Sequence, residues 1–291
     1  MAETTSAPSS RVKSRLTGVP ETMLLTLSAR AADAAEPSPV LGDVWAAKTL
    51  EQIESRTSHK RRTVSDGAFA AAVVPRALVL DTWTVEFLQA HSEATVLHLA
   101  CGLDSRALRL SWGRGVRWID VDMPEVIEIR KQVLPNPSGD YTLVASSVTE
   151  TAWLERIPAD RPTIVIMEGL LAYLKPEDIQ QLAQKICSRF SGGQIIFDTI
   201  GNTCKLIYTY GAMFKSLVGP VKNTGAVYQF AMDAPDTFTR LQPGLRPRDV
   251  VRFHEHPGFW IIAPRLTRWQ AWILTWFPGF SSYVSFWRYD Y

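Results

Sequence analysis

The stretch TVLHLACGLDS, residues 95–105, decides the fold. Val96 to Ala100 are apolar but for His98 and show no alternation, so they read as a strand buried on both faces of a parallel sheet. The run stops at Ala100-Cys101-Gly102. There Gly102 supplies permissive backbone, and the small Ala100 lets a ligand approach the chain closely. A helical turn over residues 105–110 follows.

Downstream the pattern repeats. Residues 116–120, 142–145, 163–167 and 194–198 read as further strands, and 124–133 and 176–190 as helices between them. Strand and helix alternate from 95 to 199, which predicts a doubly wound α/β sheet. Upstream, 21–35, 44–54 and 68–89 have helical rhythm, with Pro20 at the entry of the first. Pro75 should kink or split the third. Late in the chain, 204–217 and 234–241 read as helices and 248–254 and 280–287 as strands. The expected division is a disordered lead-in (1–15) and a single domain (16–291). That domain comprises a helical lid (16–92), a Rossmann-like core (93–200) and a cap with C-terminal strands (201–291).

Composition narrows the function. With 291 residues, 46% of them hydrophobic, the chain can bury a sizeable core. A net charge of +2 points to neither nucleic acid nor an acidic membrane. The one dense basic run, His59-Lys60-Arg61-Arg62, reads as a solvated helix end. Three cysteines without paired spacing fit a reducing, cytoplasmic compartment, and they lie too far from His254 and His256 to argue for zinc; no metal is expected. The polar, Pro/Ser-rich first residues do not resemble a signal peptide, and no stretch is long enough for an integral membrane segment.

In an open α/β sheet, ligands bind beyond the carboxyl ends of the strands. The first such end is neither a G-x-G-x-x-G loop nor a P-loop, which suits a cofactor without phosphate, such as S-adenosylmethionine. The second strand ends Asp120-Val-Asp122. An acid there accepts from ribose hydroxyls, or Asp122 caps the next helix. The fourth ends Met167-Glu168-Gly169, a carboxylate that needs a cationic partner if buried.

VLHLACGLDSRALRL (96–110), WIDVDMPEVIEIRK (118–131) and IVIMEGLLAYL (164–174), in this order, resemble the leucine carboxyl methyltransferase-like family, its polyketide O-methyltransferase branch most of all. The likeness extends over about residues 18–260 and includes Arg30, Arg76 five residues before Asp81, and the segment Phe230-Ala-Met-Asp-Ala-Pro235. The resemblance implies a class I methyltransferase fold and S-adenosyl-L-methionine as donor. On it, Arg76 and Arg30 would pair with the cofactor carboxylate, and Ala100 and Gly102 would pass the methionine part. Asp122, with Asp120 competing, would hold the ribose, and Glu168-Gly169 the amino group. Tyr173 would face the reacting centre, and Phe230 and Met232 would contact substrate. The family's first loop glycine is Ala100 here, and its Asn is His98. Ser147-Val148 replaces an adenine-contacting Asp-Leu, although a serine hydroxyl can still accept from the adenine amino group.

These residues together predict an O-methyltransferase acting on a carboxylate or acidic hydroxyl of a small aromatic or polyketide-like molecule. A carboxylate is already ionised at neutral pH, whereas a phenol benefits from a base. His98 is a base by residue type, yet it lies within a strand, where a core role is the plainer reading. Other readings are methylation of a protein C-terminus, a non-catalytic adenosine-binding module, and a nicotinamide oxidoreductase disfavoured by the missing glycines. The aromatic tail from Trp269 to Tyr291 reads as core packing, as a lining for a flat substrate, or as a dimer or membrane-facing patch, so a homodimer is one option.

Overall fold

The computed structural model describes residues 21–56, 67–210, 227–263, 268–269, 272, 276 and 283–291. Strands β1 (Ala94–Leu99), β2 (Val116–Asp122), β3 (Asp140–Ala145), β4 (Thr163–Met167), β5 (Gly193–Ile200), β6 (Arg246–Arg252) and β7 (Val284–Asp290) form one sheet. Its order is β3-β2-β1-β4-β5-β7-β6. The first five strands pair in parallel, and β7 is antiparallel to both its neighbours. The strand order reverses between β1 and β4, the place where such sheets open a ligand crevice.

The helices are α1 (Glu21–Ala34), α2 (Val44–Arg56), α3 (Gly67–Ala90), α4 (Arg106–Arg109), α5 (Pro124–Val133), α6 (Pro176–Arg189), α7 (Asn202–Tyr210), α8 (Asp236–Leu241) and α9 (Pro257–Ile262). The expected alternation from 95 to 199 is present. β2 runs two residues beyond the expected end, which makes Asp122 its last residue. The helix expected over 204–217 is described only as far as Tyr210, and the basic run at 59–62 lies outside the described residues.

α3 corrects one expectation. It is neither split nor ended at Pro75 but runs as one helix of 24 residues. Packing explains this. Val79, Leu80, Trp83 and Phe87 bury against Val96, Trp118, Ile164, Ile166 and Ile196 of the sheet, while Ala71 packs on Phe259 and Ala70 and Val73 on Ala29. A helix apolar on all sides is held by its neighbours, and that outweighs a lost backbone hydrogen bond. α3 therefore belongs to the core, although it precedes residue 93.

The aromatic tail divides. Phe286, Trp287 and Tyr289 are buried on β7, whereas Trp269, Trp272 and Trp276 are more than half exposed. Phe277 and Phe280 lie outside the described residues.

Candidate active site

Strand register assembles the site. Leu99 pairs with Val121 and with Met167, and Met167 pairs with Phe197. The next residues, Ala100, Asp122, Glu168 and Asp198, therefore stand side by side at the carboxyl edge. His98 pairs with Asp120 one step below. Side chains alternate between faces. His98, Asp120, Glu168 and Asp198 share a face with Val96, Trp118, Ile166 and Ile196, the face that α3 covers. A charged layer thus crowns the apolar layer beneath α3.

Arg76 of α3 reaches into that layer, with Nε 3.1 Å from Glu168 Oε1 and Nη1 3.3 Å from Asp198 Oδ2. Arg106 approaches Glu168 from the other side, Nη2 to Oε2 at 2.6 Å, and is anchored by Asp81 at 2.6 Å. Burial alone would raise the Glu168 pKa, but the Arg76 and Arg106 guanidiniums overcome it and hold the carboxyl down at about 2. Asp198 behaves oppositely: burial pushes it above the ordinary carboxylate range despite Arg76 and a 2.6 Å bond from the Gly169 N–H. Farther out, Arg30 holds Asp104 at 2.9 Å, and Arg109 bridges Asp81, Asp104 and Asp43. Asp43, Asp81, Asp104, Glu168 and Asp198 exceed the guanidiniums of Arg30, Arg76, Arg106 and Arg109 by one negative charge.

The loop after β1 has two left-handed residues, Ala100 at φ +52° and Gly102 at φ +51°. Ala100 is the one non-glycine with positive φ among the described residues. The family glycine that it replaces would adopt this conformation without strain, so the departure noted in sequence has a backbone cost. Asp122 ties the loop to β2: Oδ2 accepts from the Gly102 N–H at 2.6 Å and Oδ1 from the Met123 N–H at 2.7 Å. Burial raises its pKa against those two bonds.

Not every expected site residue stands in the open. Asp120 is fully buried; it accepts from Arg130 (2.6 Å), Tyr141 (2.7 Å) and Trp118 (2.8 Å), so it knits β2 to α5, whereas Asp122 is 8% exposed at the end of β2. His98 is 1% exposed, 3.2 Å from Arg106 and 3.4 Å from Asp120, and its place is in the charged layer, enclosed on both sides. Phe230 and Met232 are enclosed as well. Met232 is fully buried and Phe230 nearly so, in one cluster with Phe197, Phe238 and Tyr289, because the Phe230 and Met232 N–H groups bind Ala172 and Ile200 carbonyls and pin the segment to the core. Ser147 is partly exposed beside buried Val148, its hydroxyl 2.8 Å from that of Thr149. Tyr173 closes a 3-10 turn (Leu171–Tyr173) after Glu168-Gly169, and its ring centroid is 5.4 Å from that of Tyr228.

Sequence reasoning missed Arg106, Arg109, Asp104, Asp43 and Asp198. A signal existed for three of them. Asp198 ends an apolar strand as Glu168 does, and Arg106 and Arg109 sit three apart on one short helix, able to face one way.

A family model described as leucine carboxyl methyltransferase matches residues 24–187. The tetracenomycin polyketide synthesis O-methyltransferase TcmP of Streptomyces glaucescens is 39% identical over 232 residues, 80% of this chain and 82% of its own. The S-adenosyl-L-methionine-dependent methyltransferase dpfgK of Gibberella zeae is 38% identical over 252 residues, 81% of this chain and 83% of its own. A Thermobifida fusca crystal structure described as a methyltransferase aligns with a TM-score of 0.53 at 12% identity, over 90% of this chain and 93% of that one, which speaks for the fold. The chain belongs to the leucine carboxyl methyltransferase family. It is an S-adenosylmethionine-dependent methyltransferase with the α/β, Rossmann-like class I fold.

The residues present fit that cofactor. Arg30 is paired with Asp104 through Nη1, but its buried Nε, 4.0 Å from Asp43, has no hydrogen-bond partner, which leaves one donor open to a carboxylate. The surplus carboxylate suits a ligand bearing an ammonium and a sulfonium, and the left-handed loop at 100–102 suits close backbone approach.

Proposed function

We propose that this enzyme methylates an oxygen, either a carboxylate or an acidic hydroxyl, of a small aromatic or polyketide-like molecule. When bound, S-adenosylmethionine would supply an electrophilic methyl, carried on a positively charged sulfur that leaves as a neutral thioether. Arg76 and Arg30 bind the donor's carboxylate, Glu168 its amino group and Asp122 its ribose. Ser147 and Val148 flank the adenine, and Gly169 lets the chain turn beside Arg76 at φ +65°. The protein's task is alignment and exclusion of water.

One observation carries the choice of acceptor. The Asp198 carboxylate near Tyr173 is engaged by Arg76 and by the Gly169 N–H. The other groups gathered there are the phenols of Tyr208 and Tyr228, and burial raises all three phenols above the ordinary tyrosine range. They are proton donors and not bases, so the arrangement suits an acceptor that ionises unaided. Among the described residues, no helix is long and apolar enough to cross a membrane, which accords with a small molecule met in solution.

The test is turnover against pH with aromatic carboxylic acids and phenols as acceptors. A profile flat between about pH 6 and 9 supports this reading, and a basic limb near pH 7 contradicts it.

A further inference from the structure

Three tyrosines stack beyond the ends of β4 and β5. Tyr208 of α7 lies 4.3 Å, centroid to centroid, from Tyr228, and Tyr228 lies 5.4 Å from Tyr173. Tyr173 and Tyr228 share a hydrogen bond, and Tyr173 feels the Arg76 charge, so the stack abuts the charged layer. Tyr208 differs from the other two. It is 9% exposed, and its hydroxyl is buried with no hydrogen-bond partner among the described residues. The nearby Cys204 thiol is engaged with Tyr283. A buried hydroxyl without a partner is costly and persists where something else offsets it.

We propose that Tyr208 is an acceptor-binding residue: its hydroxyl donates a hydrogen bond to the non-reacting oxygen of an aromatic carboxylate stacked against Tyr228. This rests on the methyltransferase reading above and narrows its acceptor to an aromatic acid. Tyr228 is the partly exposed middle ring of the three. A flat acceptor that enters between Tyr228 and Tyr208 stacks on the former, reaches the hydroxyl of the latter and replaces one ring contact with another. One carboxylate oxygen accepts from Tyr208 while the other takes the methyl. The carboxylate becomes a neutral ester, and no proton is released. Tyr208 stays protonated because burial, Tyr173 and Cys204 all disfavour its anion.

The experiment is calorimetric binding of naphthoate, naphthamide and cyclohexane carboxylate to the full chain saturated with S-adenosylhomocysteine, for the wild type, Tyr208→Phe and Tyr228→Leu. The wild type should bind naphthoate best. Tyr208→Phe should weaken naphthoate about tenfold or more, as for a hydrogen bond to a charged group, and barely change naphthamide. Tyr228→Leu should weaken naphthoate towards the level of cyclohexane carboxylate. Because Tyr208→Phe removes an unsatisfied hydroxyl, its melting temperature should not fall, which a merely structural role would not give. Equal naphthoate affinity in the wild type and Tyr208→Phe, or no naphthoate binding by the wild type, overturns the proposal. Loss of S-adenosylhomocysteine binding by the wild type would instead overturn the methyltransferase reading itself.

Discussion

Arg106 Nη2 lies 2.6 Å from Glu168 Oε2, although 62 residues separate them. Arg106 is fully buried, and its other nitrogens bind Asp81 and approach His98. It therefore sets the position of Glu168 from behind while Arg76 meets the same carboxylate from the half-open side. Two guanidiniums on one carboxylate keep Glu168 ionised and fixed before any ligand arrives, which is the preorganisation that alignment catalysis needs.

Removing Arg106 leaves Asp81 and Glu168 buried with one cation fewer. Arg106→Leu should destabilise the fold by about 3–5 kcal/mol, read from urea unfolding. A loss below about 1 kcal/mol would mean that the charged layer is solvated and that Arg106 does not position Glu168.

Ala100 occupies a conformation that costs a non-glycine residue roughly 1–2 kcal/mol. Ala100→Gly relieves this at some expense in unfolded-state entropy, so a net gain of about 0.5–1 kcal/mol is expected in thermal unfolding. Ala100→Val should lose stability, because a β-branched residue tolerates positive φ less well.

Acid should unfold the protein through this site. Glu168 and Asp120 are both held at about 2 in the folded state, below their ordinary values. In that range the unfolded chain binds more protons, so stability is full above the unfolded carboxylate values and is lost as pH falls from about 4.5 towards 2. The raised Asp122 and Asp198 act in the opposite direction and flatten the upper end of the window. A Glu168→Gln variant should lose part of this acid dependence in unfolding curves taken across the same range, and an unchanged slope would contradict the assignment.

Met232 is fully buried in one cluster with Phe230, Phe238 and Tyr289. Met232→Ala should cost about 2–5 kcal/mol in denaturant unfolding while leaving S-adenosylhomocysteine affinity near that of the wild type. A stable variant with altered acceptor preference would return Met232 to the substrate site.

The sheet and its strand ends were legible in sequence because parallel strands buried on both faces leave uninterrupted apolar runs, and because Asp122 and Glu168 break such runs abruptly. Register converts those breaks into one edge, so the primary positions could be named before any contact was seen. What sequence left open is which acid of the pair 120 and 122 is engaged within the core, since both point to the same face and only the packing of α5, with Arg130 on Asp120, decides between them. The burial of Phe230 and Met232 was hidden for a related reason: an apolar pair in a lid-like segment looks the same whether backbone hydrogen bonds fold it inwards or leave it exposed. Pro75 misled because local propensity cannot register three packing neighbours at once.

The central claim is that Arg76 and its surrounding carboxylates form the S-adenosylmethionine site. Calorimetric titration of S-adenosylmethionine and S-adenosylhomocysteine into the wild type and an Arg76→Ala variant tests it most directly. The expected result is saturable binding of both by the wild type, weakened about 10- to 100-fold in the variant by loss of a charge-assisted hydrogen bond. Equal affinity in the two proteins, or no binding to the wild type, would contradict the account.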